Sequence, residues 1–295
     1  PIKELDKVRA IIDNAIAKDI SIYHVGDYDV DGISSSYIME TGLRRLGAQH
    51  FKNILPLRQT DGYGFSVKIA DRILAETNKP GLLLTSDNGI AAHDAIQKMK
   101  DAGWTVVVTD HHEPVLDEKG NPILPNADIV IDPKAKWDSS DFHTYCGAGI
   151  IYQLFDSYDL PPHEKDMLMK DLLSIAAIAT IADIVELIEE DKNTNTYYIN
   201  NWKLVKDGLE EIHKGHMPIG LRALINASNK DMASLSEEDF GYSLAPMLNS
   251  PSRLYDDGAY KSLNLLLELD STAAEKKAVE LININEYRKK LISNI

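Results

Sequence analysis

The chain has 295 residues, enough for one large domain or two modest domains with a buried core. Hydrophobic residues make up 44% and charged residues 26%, which excludes a disordered or low-complexity chain. The formal net charge of −15 argues against nucleic-acid binding through a diffuse positive surface, so a phosphate-bearing ligand would need a local site.

The first half of the chain alternates between helical and strand patterns. Apolar residues from Leu5 to Ile16 recur at helical spacing and predict a first helix. The predicted strands are 21–25, 54–57, 82–85, 105–109 and 129–131, and the predicted helices between them are 33–46, 66–76 and 90–102. This alternation predicts an α/β fold with a mainly parallel, doubly wound sheet flanked by helices.

The second half is mainly helical after Gly147, with predicted helices over 150–158, 172–184 and 197–205. A capping-box pattern from Thr272 to Glu275 predicts the start of a long polar helix that reaches Leu291. We therefore expect three parts. They are an α/β domain over 1–215, a helical extension over 216–269 and a long connecting helix over 270–295.

Membrane and disulfide signals are missing from the sequence. The single cysteine, Cys146, cannot form an intrachain disulfide, and no apolar run of 18 residues occurs. Both observations favour a cytoplasmic protein that does not enter a membrane.

Acidic and imidazole side chains follow three of the predicted strands. They are Asp27, Asp29, Asp31, Asp87, Asp110, His111 and His112. A single Asp after a strand is usually a turn or helix-cap residue. In open parallel sheets, however, ligands bind beyond the carboxyl ends of the strands, so these groups should share one crevice. Because so many acids would repel one another at low dielectric, the pattern predicts bound cations.

The spacing of the acids indicates which ions would bind. Alternate residues of an extended loop face the same way, so Asp27, Asp29 and Asp31 can address one site. Asp87 comes from another strand and could bridge two ions about 4 Å apart. Carboxylate and imidazole ligands favour two Mn²⁺ ions, with Mg²⁺ as the alternative. An EF-hand is disfavoured, because the twelfth loop position is Ile38 where a bidentate Glu is needed.

Four short motifs resemble the DHH phosphoesterase superfamily and, within it, the RecJ family of single-strand-specific 5′→3′ exonucleases. The motifs occupy 26–32 (GDYDVDG), 86–90 (SDNGI), 109–112 (TDHH) and 182–185 (ADIV). Further matches to this family lie at 58–65, 146–149 and 245–254. The resemblance therefore spans nearly the whole chain.

The resemblance implies roles for individual residues. The implied metal ligands are Asp27, Asp29, Asp31, Asp87, His111 and Asp183. Asp183 lies in an apolar helical stretch and cannot be found from periodicity; a helix N-cap or a buried, hydrogen-bonded Asp is the alternative. Asp87, Asp110, His111 and His112 form the implied catalytic set, in which Asp110 orients a histidine and His112 faces the scissile phosphate. The implied substrate contacts are Arg58, Tyr63, Asn249, Arg253 and His112, with Tyr63 stacking on a base.

The resemblance also implies a function and partners. The expected activity is metal-dependent hydrolysis of single-stranded DNA in repair, recombination or replication, beside replication or recombination proteins. Two alternatives remain open: a DHH phosphodiesterase for short oligonucleotides or cyclic dinucleotides, and a non-catalytic DHH-fold replication scaffold. Retention of every ligand-type residue argues against the scaffold.

The sequence departs from the family pattern in two ways. Met247 stands where the family has an arginine, and 250–252 read Ser-Pro-Ser instead of Ala-Ala-Gly, which leaves end recognition open. Relatives also carry a DHH-associated domain after the long helix, whereas this sequence stops at Ile295. We expect a catalytic fragment that binds long strands weakly, and the alternatives are a partner domain on another polypeptide or a reduced relative.

Overall fold

Nine strands and twelve helices make up the computed structural model, which describes residues 1–295. The strands are β1 (Ile22–Val25), β2 (Phe51–Ile54), β3 (Leu82–Thr85), β4 (Thr105–Thr109), β5 (Val115–Leu116), β6 (Pro122–Ile123), β7 (Ile129–Ile131), β8 (Glu189–Asp191) and β9 (Thr196–Tyr198). The helices are α1 (Leu5–Ala17), α2 (Val30–Arg45), α3 (Val67–Glu76), α4 (His93–Asp101), α5 (Gly147–Asp156), α6 (Pro162–Ala182), α7 (Asn200–His213), α8 (Ile219–Ala227), α9 (Glu237–Asp239), α10 (Ala245–Leu254), α11 (Ala259–Leu267) and α12 (Ser271–Ser293). A π-helical turn, Phe240–Leu244, joins α9 to α10.

The central sheet has five parallel strands in the order β2-β1-β3-β4-β7. The predicted α/β class with a parallel, doubly wound sheet is therefore confirmed. The chain moves outward to β2 on one side of β1 and to β3, β4 and β7 on the other, so the strand order reverses between β1 and β3. Such a reversal opens a crevice at the carboxyl ends of the two strands, which is where ligands bind in this architecture.

Both faces of the sheet are buried, as a parallel sheet requires. Ile22 of β1 belongs to a large apolar cluster that includes α2, α5 and α6. Its neighbours Tyr23 and Val25 belong to a smaller cluster with α3 and α4 on the opposite face. Alternate residues of one strand thus hold the two helical layers against the sheet.

Strand β2 is shifted toward the N-terminus of its predicted position. It covers Phe51–Ile54, whereas the sequence predicts 54–57. The predicted strand included Leu55 because this residue is apolar. In the structure the Leu55 side chain is buried in the large cluster, and its amide donates to the Tyr260 hydroxyl at 2.9 Å instead of pairing in the sheet. Strand β2 lies at the edge of the sheet and is partly exposed, so it contains polar residues and lacks the apolar run that predicted the other strands.

Besides α6, which begins at Pro162 where the sequence predicts 172, two predicted helix starts are wrong. The side chain of Asp270 caps α12 by accepting a hydrogen bond from the Ala273 amide at 2.8 Å, so the predicted Thr272 capping box does not form. The helix predicted from Tyr197 begins at Asn200, because Tyr197 pairs with Glu190 in the hairpin of β8 and β9. In both places a polar side chain or a cross-strand partner outweighs helical spacing.

Helix α12 packs along α8 and α10. One apolar cluster runs from Ile2 near the N-terminus to Leu281 on this helix. The domain boundaries at 215/216 and 269/270 remain a prediction. No helix combines the length and apolar character that crossing a bilayer requires.

Candidate metal centre

The loop after β1 carries three of the predicted ligands at the start of α2. Asp29 is the N-cap of this helix, and its Oδ1 accepts a hydrogen bond from the Gly32 amide at 2.8 Å. A Cβ at position 32 would lie 2.5 Å from the Asp27 backbone, so the tight approach of loop and helix requires glycine there. The loop thus turns its carboxylates toward the crevice.

Asp31 joins this loop to the start of α5. Its two carboxylate oxygens accept hydrogen bonds from the amides of Gly147 and Ala148, each at 2.8 Å. Burial alone would raise the pKa of Asp31, but the contacts with His111, with Asp87 and with the Ala148 amide lower it to about 2. A helix N-terminus favours a negative charge, so Asp31 is held as a carboxylate at the floor of the site.

Asp87 follows β3 in a backbone conformation that is unfavourable for a residue with a side chain. Its φ is 61°, in the left-handed region. The Tyr63 hydroxyl donates to the Asp87 carbonyl oxygen at 2.8 Å, and the absence of a side chain at Gly147 leaves room for the Asp87 Cβ, since a Cβ there would come within 2.6 Å of it. Neighbouring residues therefore stabilise the turn from two sides.

His111 brings three carboxylates together. Its Nε2 lies 2.8 Å from Asp87 Oδ1, 3.3 Å from Asp31 Oδ2 and 3.5 Å from Asp183 Oδ2. Burial alone would lower the pKa of His111, but the neighbouring carboxylates, Asp31 first, raise it to about 9.

Asp183 is the C-cap of α6, which ends at Ala182, whereas the predicted helical stretch continues to Ile184. The C-terminal end of a helix disfavours a carboxylate, and burial together with Asp31 raises the pKa of Asp183 to about 7. The alternative of an N-cap role does not apply at this end of the helix. A nearby cation would explain why an acid occupies this position.

Asp110 holds the second histidine of the pair. Its Oδ1 accepts from the His112 ring Nδ1 at 2.6 Å and from the His111 amide at 2.7 Å, while Oδ2 accepts from the Ile90 amide at 3.1 Å. Asp110 therefore orients the ring of His112, and not the ring of His111 that lies among the carboxylates. The His112 ring is half-exposed toward the crevice, with the Tyr63 hydroxyl 3.2 Å from its nitrogens.

The ligand atoms fit divalent cations. Three groups of side chains place these atoms within 4.8 Å of one another: Asp27, Asp29 and Asp87; Asp31, His111 and Asp183; and Asp87, His111 and His112. Both carboxylate oxygens of Asp27 and the Oδ2 of Asp87 are buried without a hydrogen-bond partner. Burial and neighbouring acids raise the pKa of Asp27 to about 8 and that of Asp87 well above its usual range. Oxygen and imidazole donors without a thiolate suit Mn²⁺ or Mg²⁺.

One acid of this region was missed by the sequence reasoning. Asp132 follows β7, is fully buried, and leaves its Oδ2 without a partner. Burial and the charge of Asp110 raise the pKa of Asp132 to about 8. Its position directly after a predicted strand is the same signal that singled out Asp87 and Asp110.

Three arginines lie unpaired beside the metal centre. Of the eight arginines in the chain, only Arg58, Arg253 and Arg288 make neither an ion pair nor a side-chain hydrogen bond. The Arg58 guanidinium lies 4.8 Å from the centre of the Tyr28 ring. Burial and the positive charges of Arg288 and Arg58 lower the pKa of Arg253.

Arg253 and Arg288 face a cavity next to Asp183. They line it together with Asn249 and Ile184, and its volume is about 1010 Å³. The sequence reasoning selected Arg58, Asn249 and Arg253 but missed Arg288, because the placement of a residue late in a polar helix cannot be read from its spacing. We call Arg58, Arg253 and Arg288 the arginine cluster.

Comparison with known protein families identifies the class to which the chain belongs. The model of the DHH family, N-terminal domain, matches residues 21–180, and the chain belongs to that family. Within the family it is similar to the single-stranded-DNA-specific exonuclease RecJ of Salmonella typhimurium, with 31% identity over 97% of this chain and 48% of the relative. The chain thus spans about half the length of that relative.

Solved structures agree with this relationship. A crystal structure of exonuclease RecJ bound to manganese superposes with a TM-score of 0.81 and 30% identity, covering 99% of this chain and 68% of the other. RecJ from Thermus thermophilus in complex with Mg²⁺ gives a TM-score of 0.66 and 26% identity, covering 99% of this chain and 35% of the other.

Proposed function

We propose that this chain carries the hydrolytic centre of a metal-dependent exonuclease that degrades single-stranded DNA in the 5′→3′ direction. The observation that supports this best is the set of three ligand groups linked through Asp87 and His111 at the strand-order reversal. The arginine cluster beside it offers a local phosphate site on a chain whose net charge is −15. The similarity to RecJ supplies the substrate class.

The side chains divide between holding ions and handling the phosphate. The residues that would hold two divalent ions, Mn²⁺ or Mg²⁺, are Asp27, Asp29, Asp31, Asp87, His111 and Asp183. When bound, such ions supply positive charge for a phosphate and lower the pKa of a water molecule. No nucleophilic side chain is needed in this arrangement.

His112 is placed to donate a proton or a hydrogen bond to the phosphate. Its Nδ1 is bonded to Asp110, so its Nε2, which lies 3.2 Å from the Tyr63 hydroxyl, is the nitrogen that would meet a substrate oxygen. Burial lowers the pKa of His112, but Asp110 outweighs that effect and raises it overall, which favours the imidazolium form. Asp110 thereby fixes both the orientation and the charge of this ring.

The arginine cluster and the residues around it would bind the substrate strand. We propose that Arg58, Arg253 and Arg288, with Asn249, contact successive phosphates of the strand. The ring of Tyr63 is about half exposed and could meet a base, while its hydroxyl is engaged by Asp87. The finer assignments, namely a preference for DNA over RNA, a cytoplasmic location, work beside replication or recombination proteins, and completion by a DHH-associated domain, belong to the same proposal.

A digestion assay with an Asp87 variant tests this function. Asp87→Ala should lower the rate on a long 5′-phosphorylated single strand with Mn²⁺ at least about 1000-fold, because several kcal/mol of transition-state stabilisation depends on the bound ions. Asp159→Ala removes an exposed carboxylate of the same type and should leave the rate unchanged. Thermal unfolding of both variants would confirm that they remain folded.

The choice of substrate separates the alternatives. Strands labelled at either end report the direction of digestion, and di- and trinucleotides or cyclic dinucleotides report a preference for short substrates. Faster turnover of these short substrates would replace the proposal with a phosphodiesterase. Absence of hydrolysis with every substrate and both metals would leave the scaffold as the better description.

A further inference from the structure

Asp256 joins two segments that are about 200 residues apart in the sequence and that both carry members of the arginine cluster. It lies just after α10, three positions beyond Arg253. Its Oδ1 accepts hydrogen bonds from the amides of Gln59 at 2.5 Å and Thr60 at 3.1 Å, and its Oδ2 accepts one from the Thr60 hydroxyl. The Asp256 carbonyl oxygen accepts a fourth bond from the Arg58 amide at 3.0 Å.

All four bonds reach three consecutive residues, beginning with Arg58. No lysine or arginine lies within ion-pair distance of the Asp256 carboxylate, so its charge is satisfied by amides and a hydroxyl. The Arg58 guanidinium is left free of any carboxylate and lies over Tyr28. Asp256 therefore holds the backbone of Arg58 without neutralising its side chain.

The same loop is fixed on its other sides by independent contacts. The Asp61 carboxylate forms two hydrogen bonds with the Arg72 guanidinium, at 3.0 and 2.6 Å, and accepts one from the Leu57 amide at 2.9 Å. The Leu55 amide donates to the Tyr260 hydroxyl at 2.9 Å. Loss of the Asp256 carboxylate removes the bonds to Gln59 and Thr60 and leaves the backbone bond to Arg58, so it should loosen the residues that follow Arg58 without unfolding the loop.

The arrangement works against electrostatic repulsion. Arg58 and Arg253 carry like charges, yet the hydrogen bonds of Asp256 hold their two segments together. Without an anion between the guanidinium groups, this proximity is unfavourable. An anionic ligand with phosphates at the matching spacing would turn the repulsion into attraction.

We propose that Asp256 is a positioning residue, which sets the distance between the Arg58 and Arg253 guanidinium groups and so determines the affinity for the substrate backbone. This inference rests on the proposed function. Asp256 touches no phosphate in this proposal and acts only through the Arg58 loop. Its replacement should therefore change substrate binding and leave the chemistry at the metal centre intact.

The test is a comparison of kcat and KM on a long single strand with Mn²⁺. Asp256→Ala should raise KM about 10-fold while kcat at saturation and the Mn²⁺ affinity, measured by calorimetry, stay within about 2-fold of the unaltered chain. Asp257→Ala is the matched control, because it removes the neighbouring exposed carboxylate, which makes no side-chain hydrogen bond. It should leave KM unchanged.

Two further variants separate positioning from charge. Asp256→Asn keeps an oxygen that can accept from the Gln59 and Thr60 amides, so it should restore most of the lost affinity. In an Arg58→Ala background, Asp256→Ala should have little additional effect, because the group through which it acts is gone. If Asp256→Asn raises KM as much as Asp256→Ala does, or if the effects of Arg58→Ala and Asp256→Ala on KM simply add, the positioning role is wrong.

The outcomes also distinguish this inference from the function on which it rests. A chain that degrades single strands but shows the same KM for Asp256→Ala and Asp257→Ala refutes the positioning role alone. A chain that neither binds nor degrades them refutes both. If Asp256→Ala melts early, Thr60→Ala, which deletes only the hydroxyl contact, should still raise KM by about 2- to 3-fold, and an unchanged KM would count against the inference.

Discussion

Tyr63 illustrates how one side chain can hold a strained backbone at a functional position. Its hydroxyl bonds the carbonyl oxygen of Asp87, whose φ of 61° places it in a region that costs non-glycine residues free energy. The ring also stands edge-on to His112, with the ring centres 5.7 Å apart. Tyr63 thus touches both a predicted ligand and the predicted phosphate-facing histidine, a role that differs from the predicted stacking on a base.

Tyr63→Phe separates these two roles. The variant loses the bond to Asp87 and keeps the ring, so we expect the free energy of unfolding to fall by about 1 kcal/mol and kcat to fall about 10-fold with KM unchanged. Steady-state kinetics and urea unfolding measure these effects. Tyr63→Leu, as the control, should raise KM in addition only if the ring contacts a base; a normal kcat in Tyr63→Phe would contradict the positioning role.

The predictability of the site differs from residue to residue. Asp27, Asp87 and His111 could be selected from the sequence because each follows a strand, and parallel strands bring their ends to one edge. Asp183 needed the family resemblance, since a C-cap at the far end of α6 reaches the crevice only through helix packing. Arg288 could not be found at all, because its proximity to Arg253 depends on how α12 lies against α10.

At the scale of elements, a buried polar chain links three strands beneath the metal centre. The His24 ring on β1 contacts the Asn53 Oδ1 on β2 at 2.7 Å and the Ser86 hydroxyl after β3 at 2.6 Å. The Asn53 amide group itself donates to the Ser36 carbonyl oxygen of α2, so the Asn53 oxygen must accept from the His24 Nδ1–H. The neutral ring is then fully satisfied, with Nε2 accepting from Ser86.

This chain predicts a stability change at acid pH. Burial lowers the pKa of His24 from 6.5 to about 4, so the folded protein resists protonation that the unfolded chain accepts. The contribution is present above pH 6.5 and is lost as the pH falls toward 4, by about 3 kcal/mol of unfolding free energy. Urea unfolding of the unaltered chain and of His24→Gln at pH 7.5 and 4.5 measures it.

The variant is expected to be less stable at pH 7.5 but to lose less stability between the two pH values. Identical losses in both proteins would show that other groups control the acid response. The comparison between proteins is needed because acids such as Asp132 titrate in the opposite sense: their raised pKa values favour folding as the pH falls.

The elements themselves were easier to predict than their boundaries. The alternation of strand and helix patterns was enough to predict the parallel sheet, because β1, β3 and β4 are short apolar runs between helical patterns. The edge strand β2 was displaced because its own residues are partly exposed and the more apolar Leu55 follows it. The spacing of apolar residues does not reveal whether an amide pairs with a neighbouring strand or, like the Leu55 amide, donates to the distant Tyr260 hydroxyl.

For the whole molecule, the balance between net charge and the arginine cluster determines how it should bind a strand. With a net charge of −15, only the three unpaired arginines are expected to displace counterions. Three phosphate contacts on a single strand give a slope of about −2 for the logarithm of the association constant against the logarithm of salt concentration. Fluorescence anisotropy in EDTA, where the strand stays intact, measures the slope.

Arg253→Ala should reduce the steepness of this slope by about 0.7, because one contact is removed. Lys192→Ala, in the turn of the β8–β9 hairpin, is the control and should leave the slope unchanged. A slope of about −5 or steeper would show that cations outside the cluster also bind the strand, and the weak binding expected of this chain would then be wrong.

The arginine cluster is assembled from a loop after β2, the end of α10 and the later turns of α12, whereas the ligand groups come from the strand ends, the start of α2 and the end of α6. Selection can consequently act on these two sets of elements separately. Substitutions that shift α12 along α8 and α10 can change which strand lengths or ends are bound, while the residues that hold the ions stay the same.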